Sequence, residues 1–293
     1  MNHFNSLLQR ALIVLGCGVL LGMPLRADEI ATAGRALAAK CQDSLVTVQI
    51  AVKLHITSGE EQNTDEEKGE TIGTIIDPSG LIVVSLTTAD PSAAIEKMGS
   101  EHDQQMKVSC EVVDLKIRTA DGKEIPGKIV LRDKDLDLAF IRPLKKLAEP
   151  LPALNLANAA TPGLLDQIAI VYRLGNVGNR ATSITLDRVQ AVMQKPRTFF
   201  VPGVAAMSTR LGAPVFALDG TPVGMLLLRT SPESSSSMSS ASGGIGGSNM
   251  LYVVLPAADV LDAAKQAPQA DAVKDPAPAK PADEKNSKNA GGK

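Results

Sequence analysis

Residues 208–229, STRLGAPVFALDGTPVGMLLLR, gather chemically distinct side chains in a short space: hydroxyls at Ser208 and Thr209, a cation at Arg210, an alkyl chain at Leu211 and a tight Gly212-Ala213-Pro214 bend. Two apolar runs flank Asp219-Gly220, the pattern of a β-hairpin with a primed turn. A hydroxyl attacks a carbonyl at neutral pH only when a neighbouring base takes its proton, most often an imidazole oriented by a carboxylate. The partners of that chemistry must therefore be sought elsewhere in the chain.

The bend, strand, Asp-Gly turn and second strand resemble the nucleophile segment of trypsin-like serine proteases, above all the periplasmic Deg-type (high-temperature-requirement) branch, in which G-N-S-G-G-P-L precedes a strand, a D-G turn and a V-G-I strand. Aligning Gly212-Ala213-Pro214-Val215 with G-G-P-L puts Leu211 at the nucleophile position. Asp77-Pro78-Ser79-Gly80-LIVVSLTTAD resembles D-x-x-G-Y-I-L-T-N-x-H-V and places Thr87 at the histidine position. RDKDLDLAFIRP resembles R-D-x-x-T-D-L-A-L-L-K and keeps the aspartate, Asp137. YRLGNVGNRATSITLDRVQAV resembles A-I-G-N-P-x-G…x-V-T-x-G-I-V-S-A, and the ordered series spans about residues 42–266. The resemblance implies an all-β chain of two six-stranded β-barrels of the chymotrypsin type, with a short N-terminal and a C-terminal helix. It puts the site in the cleft between barrels, with Thr209 and Leu211 as the oxyanion-loop equivalents and no cofactor or metal.

A leucine cannot attack a carbonyl, and losing either the serine or the histidine costs roughly 10⁶ in rate. The expectation is therefore an exported, catalytically inactive protease homologue that acts as a binding or scaffold module, with a protein or peptide partner in the cleft. The alternative is an active endopeptidase with a displaced site, using Ser208 or Thr209 as nucleophile and His102 as base. Ser208 lies three residues before the required position, which changes where its oxygen points, and His102 sits in an unrelated loop. A third reading is a small-molecule binder, because clefts outlive chemistry. Asp137 has a structural role open to it, accepting hydrogen bonds from backbone N–H groups or the Thr87 hydroxyl. Arg210 would sit near the old oxyanion site or simply be solvated.

Many short strands with Gly and Asp turns must position these residues: Ser44–Leu54, Thr71–Ile76, Leu81–Leu86, Glu111–Arg118, Ile125–Arg132 and Asp137–Arg142. A proline-punctuated stretch, 143–166, separates them from Gln167–Arg173, Ala181–Gln194, Arg197–Val201, the hairpin Pro214–Arg229 and Met250–Leu255. The spacing predicts helices over 29–41, Pro91–Met98 and Pro256–Ala267. The acid-rich run 58–70 reads as a solvated loop with no regular ligand spacing for a metal. The domains expected are a signal peptide (1–27), barrels over 28–152 and 153–267, and a disordered Ala/Pro/Lys tail (268–293), with a flexible Ser/Gly run at 231–249.

Aromatics are 2% of the chain, with no tryptophan, so the core must be built from Val, Leu, Ile, Ala and Met, and the scarcity argues against stacking platforms for single-stranded nucleic acid. Residues 11–25 form an apolar stretch between Arg10 and Arg26, with Leu25-x-Ala27 as a cleavage site, the pattern of an export signal. Cleavage would remove two arginines and no acid, taking the net charge from −2 to −4 and leaving no basic footprint for nucleic acid or anionic lipid. Membrane contact would come only through an uncleaved signal segment. In a periplasmic or extracellular compartment Cys41 and Cys110 could join, closing a loop of about 70 residues worth on the order of 4 kcal/mol. The other reading is two separate buried thiols.

Overall fold

Turns at short intervals cut the chain into strands that cannot cover a core singly, so they pair with one another and close. The computed structural model describes residues 26–58, 61–92, 106–203, 210–230 and 250–269. Helix α1 (Arg26–Cys41) leads through a 3-10 turn (Gln42–Ser44) into β1 (Leu45–Ser58), β2 (Glu61–Asp77) and β3 (Leu81–Ser85). One helical turn, α2 (Leu86–Ala89), precedes β4 (Met106–Arg118), β5 (Glu124–Asp133) and β6 (Leu138–Pro143). These six strands close in the order β1-β2-β3-β6-β5-β4.

The second barrel closes in the order β10-β11-β12-β9-β8-β7. Its strands are β7 (Gln167–Arg173), β8 (Thr182–Met193), β9 (Phe199–Pro202), β10 (Pro214–Ala217), β11 (Pro222–Thr230) and β12 (Met250–Pro256), followed by α3 (Ala257–Ala264). The hairpin glycines Gly122 (φ 86°) and Gly220 (φ 82°) are left-handed, but Asp121 and Asp219 are not, so these are not the primed turns the sequence suggested. The bonds from Gly220 N–H to Ala217 O and from Ala217 N–H to Thr221 O (3.0 and 2.9 Å) close a type I turn followed by a glycine bulge, as do those around Thr119 and Gly122. Two closed barrels with a helix at each end are thus the architecture that the sequence resemblance implied.

The barrels share buried apolar surface: Leu81, Val83 and Phe140 of the first pack in one cluster with Phe216, Leu227 and Val253 of the second, so phenylalanines, scarce as they are, join the aliphatic core expected from composition. Polar ties reinforce that seam. Arg173 on β7 donates from Nε to the Leu45 carbonyl (2.9 Å) and from Nη2 to that of Gln42 (2.7 Å). Buried Arg142 on β6 donates to the Pro268 carbonyl (2.7 Å) and to Ser79 Oγ (2.9 Å), fastening the chain beyond α3 to the first barrel.

Two further expectations give way to the structure. Of the run 58–70, read as a solvated loop, the described residues Ser58 and 61–70 are strand: β1 and β2 pair from Leu45↔Thr74 to Ser58↔Glu61. Composition misled here because a strand's backbone bonds do not require apolar side chains. The apolar face of this ribbon comes from β1 and β4, where Ile50, Val52, Cys110 and Leu115 are buried, while Gln62–Glu70 stay exposed.

No disulfide joins Cys41 and Cys110. Cys41 packs in the core shared by the two barrels, and Cys110 in the first barrel's own cluster. Cys110 pairs with Leu54, nine residues along β1 from Leu45, a distance of roughly 30 Å in an extended strand. Burial pushes the Cys41 thiol up to about 11, the Lys40 charge opposing it only in part. Native-state alkylation at pH 8 should therefore leave Cys41 unmodified until the chain is unfolded, since the thiolate is the nucleophile. A bridged Cys41–Cys110 peptide in a non-reducing digest would contradict this arrangement.

Residues 1–25 of the expected signal segment, the Pro91–Met98 helix beyond Ser92, His102, the Ser/Gly run 231–249 and the tail from 270 lie outside the described residues.

Candidate functional site

All five residues of β3, Leu81–Ser85, are buried, and the strand delivers Ser85 and then α2 to the edge of the first barrel. β6 begins one residue after Asp137, which is itself a left-handed turn residue (φ 57°) rather than the first residue of a strand. Aspartate tolerates that conformation better than most side chains because its short polar group bonds locally.

The Asp137 carboxylate is saturated with donors. Oδ1 accepts from the Thr87 N–H (2.7 Å) and the Thr87 hydroxyl (2.8 Å). Oδ2 accepts from the Ser85 hydroxyl (2.8 Å) and from the Leu228 N–H on β11 (3.2 Å). The Asp137 carbonyl accepts from the Leu86 N–H (2.8 Å). Burial holds the Asp137 carboxyl above the ordinary aspartate range, although the bonds from Thr87, Ser85 and Leu228 pull the other way. Three of the four donors come from the first barrel and one from the second, so the aspartate also crosses the seam.

On the other side of the seam, Arg210, Leu211 and Gly212 form the turn that enters β10. Gly212 has φ 83° and its N–H donates to the Leu226 carbonyl (2.7 Å), while Leu226 N–H donates to Ala213 O (2.9 Å). A Cβ on Gly212 would lie 2.8 Å from Ile72 O and 3.0 Å from Ser85 N, so only glycine lets this turn touch the first barrel's backbone. Leu211, immediately before it, is buried. The Arg210 guanidinium stacks on the Tyr172 ring, 4.8 Å from its centroid. Burial raises the Tyr172 phenol, but the Ser183 and Thr185 hydroxyls and the Arg210 cation outweigh it and leave the net shift downward.

Thr87 and Asp137 are therefore brought into direct contact, and Leu211 lies in the turn packed against Ser85, two residues before Thr87. Ser208, Thr209 and His102 lie outside the described residues. Three contributors escaped the sequence reading: Ser85, the Leu228 N–H, and Tyr172 beneath Arg210. Ser85 had a signal, as the one polar residue ending the apolar run LIVVS.

Paired six-stranded antiparallel barrels meeting at this aspartate define the double-barrel, trypsin-like class of fold. The family described as "Trypsin-like peptidase domain" matches residues 71–225, more than half of the chain, and the chain belongs to that family. Among solved structures it is similar to the MamO protease domain from Magnetospirillum magneticum, at 15% identity and a TM-score of 0.46, covering 76% of this chain and 96% of that one. It is also similar to the HtrA-type protease AlgW with a tripeptide, at 14% identity and a TM-score of 0.48, covering 77% of this chain and 60% of that one. No curated protein matches the sequence.

Proposed function

We propose that this protein is an exported, catalytically inactive homologue of the trypsin-like serine peptidases that works as a protein-binding or scaffold module through the cleft between its barrels. The observation that carries the reading is the Thr87–Asp137 pair: a hydroxyl and an N–H occupy the carboxylate oxygen that would orient an imidazole (2.8 and 2.7 Å). A threonine hydroxyl is no general base near neutral pH, and the Leu211 alkyl chain has no lone pair to attack with. Export follows from the basic, apolar and small-residue order of residues 1–27.

The test is labelling of the mature protein with a fluorophosphonate probe, alongside casein and peptide hydrolysis, with an active trypsin-like enzyme as the positive control. No labelling and no hydrolysis are expected, since losing either the serine or the histidine costs roughly 10⁶ in rate. Labelling at Ser208 or Thr209 would instead establish the displaced site. Affinity capture from the native envelope fraction, repeated with Leu211→Lys, examines the binding half of the reading: a cleft partner should be retained by the wild type and lost by the variant.

A further inference from the structure

The inner edge of β2 pairs with β1 from Glu61 to Thr74, whereas its outer edge pairs with β3 only from Thr74 to Asp77. From Gln62 to Glu70 that outer edge has no strand partner among the described residues, and every residue there is exposed. Two local bonds identify which amides face outward. Asn63 Oδ1 accepts from the Thr64 N–H and Asp65 Oδ1 from the Glu66 N–H, each at 2.9 Å. In an antiparallel ladder alternate residues point their N–H and C=O to opposite sides, so the even-numbered residues turn theirs away from β1, and an incoming strand must displace the local side-chain bonds at Thr64 and Glu66.

We propose that this edge is a docking surface that takes up a basic, extended segment of a partner protein as an added strand. An unpaired edge supplies backbone donors and acceptors for strand addition. Charge selects the occupant: Asp65, Glu66 and Glu67 stand against Lys68, which pairs with Glu66 (3.5 Å), while Glu70 is already tied to Arg180. Alternation puts Asp65 and Glu67 on one face and Glu66 on the other, so lysines or arginines on either face of an incoming strand meet carboxylates.

A second copy of this chain is the wrong occupant. Pairing two such edges would oppose like charges, and β4, the outer strand on the opposite side of the ribbon, carries exposed Glu111 and Asp114. The platform is rigid before binding, because β1 lies between β2 and β4 and the ribbon's apolar face is buried at Ile50 (6%), Val52 (7%), Cys110 (7%) and Leu115 (4%). Little ordering cost then falls on the docking edge. Gly69 adds clearance: a Cβ there would meet nothing within 4 Å, leaving space for an incoming side chain. The edge shares no residue with the Thr87–Asp137 site, so its function does not depend on the inactive-peptidase reading.

The probe is a fluorescent peptide of about ten residues alternating lysine and threonine, titrated against the full chain by anisotropy at low and high salt, since an edge of this length spans roughly 30 Å. Its control carries the same charge but is N-methylated on alternate amides in both registers, so it cannot form edge bonds. The unmodified peptide should bind, weaken with salt, and outcompete the methylated ones by about tenfold or more. Asp65→Lys with Glu67→Lys should abolish binding. Thr64→Pro with Lys68→Pro should do so as well, since it removes outward N–H groups while sparing the β1 ladder. Circular dichroism verifies that both variants fold. Equal binding of the methylated peptides would reduce the effect to charge attraction and overturn the proposal. So would binding unchanged by the edge variants, or absence of binding, which would leave the acids as guards against edge pairing.

Discussion

Asp137→Ala is expected to destabilise the protein by roughly 3–5 kcal/mol, because it strands the donors of Ser85, Thr87 and Leu228 at a buried point on the barrel seam. The left-handed backbone (φ 57°) adds strain once the short polar side chain is gone. Asp137→Asn keeps an acceptor for the Thr87 N–H and should cost less, about 1–2 kcal/mol. Urea unfolding followed by circular dichroism measures both.

The sign of the pH dependence follows from burial. The folded carboxyl titrates above its ordinary value of 3.8, so the folded state binds this proton more tightly than the unfolded chain does. The group's stabilisation is then fullest below that ordinary value and falls as pH rises through the raised one. The gap between wild type and Asp137→Ala should accordingly be wider near about pH 3.5 than near neutrality. An alanine variant as stable as the wild type, or a gap that widens toward neutral pH, would contradict this account of the site.

Gly224→Ala should prevent folding altogether. A Cβ on Gly224 would lie 1.8 Å from the Leu255 carbonyl oxygen and 2.7 Å from its carbonyl carbon, both backbone atoms of β12 that no rotamer change can move. Relief requires β11 and β12 to separate, and β11 carries Leu226, which bonds the Gly212 turn, and Leu228, which bonds Asp137. The expected cost exceeds about 4 kcal/mol, enough to exhaust much of a domain's stability. The matched control is Gly69→Ala, which meets open space on an exposed strand and should change stability by no more than about 0.5 kcal/mol. Soluble, cooperatively melting Gly224→Ala protein near the wild-type Tm would refute the close-approach argument.

The same contrast separates what the amino-acid order carries from what it hides. The Asp121-Gly122 and Asp219-Gly220 turns and the strand Gln167–Arg173 were legible because alternation and turn chemistry act over a few residues. The motifs around Thr87 and Leu211 suggested the base and nucleophile positions respectively, and the fold joins Thr87 to Asp137, 50 residues away.

The acidic ribbon was misread because a backbone ladder leaves no apolar signature on its exposed strand. The cysteines were brought together on paper by sequence separation and compartment, whereas β4 holds Cys110 opposite Leu54, far along the ribbon from the start of β1 near which Cys41 is buried. By itself, then, the sequence determined most of the strand series, the places of the hairpin turns and the aspartate its motif keeps. The low aromatic content pointed to an aliphatic core, whereas Phe140, Phe199, Phe200 and Phe216 are its largest fully buried side chains. Only the tertiary structure decided that the fourth donor to Asp137 is the Leu228 N–H, that Gly212 and Gly224 have no room for a side chain, and that β2 carries an open acidic edge. Backbone donors and interatomic clearances are the same for every residue type until the chain has folded, so no pattern of side chains can announce them.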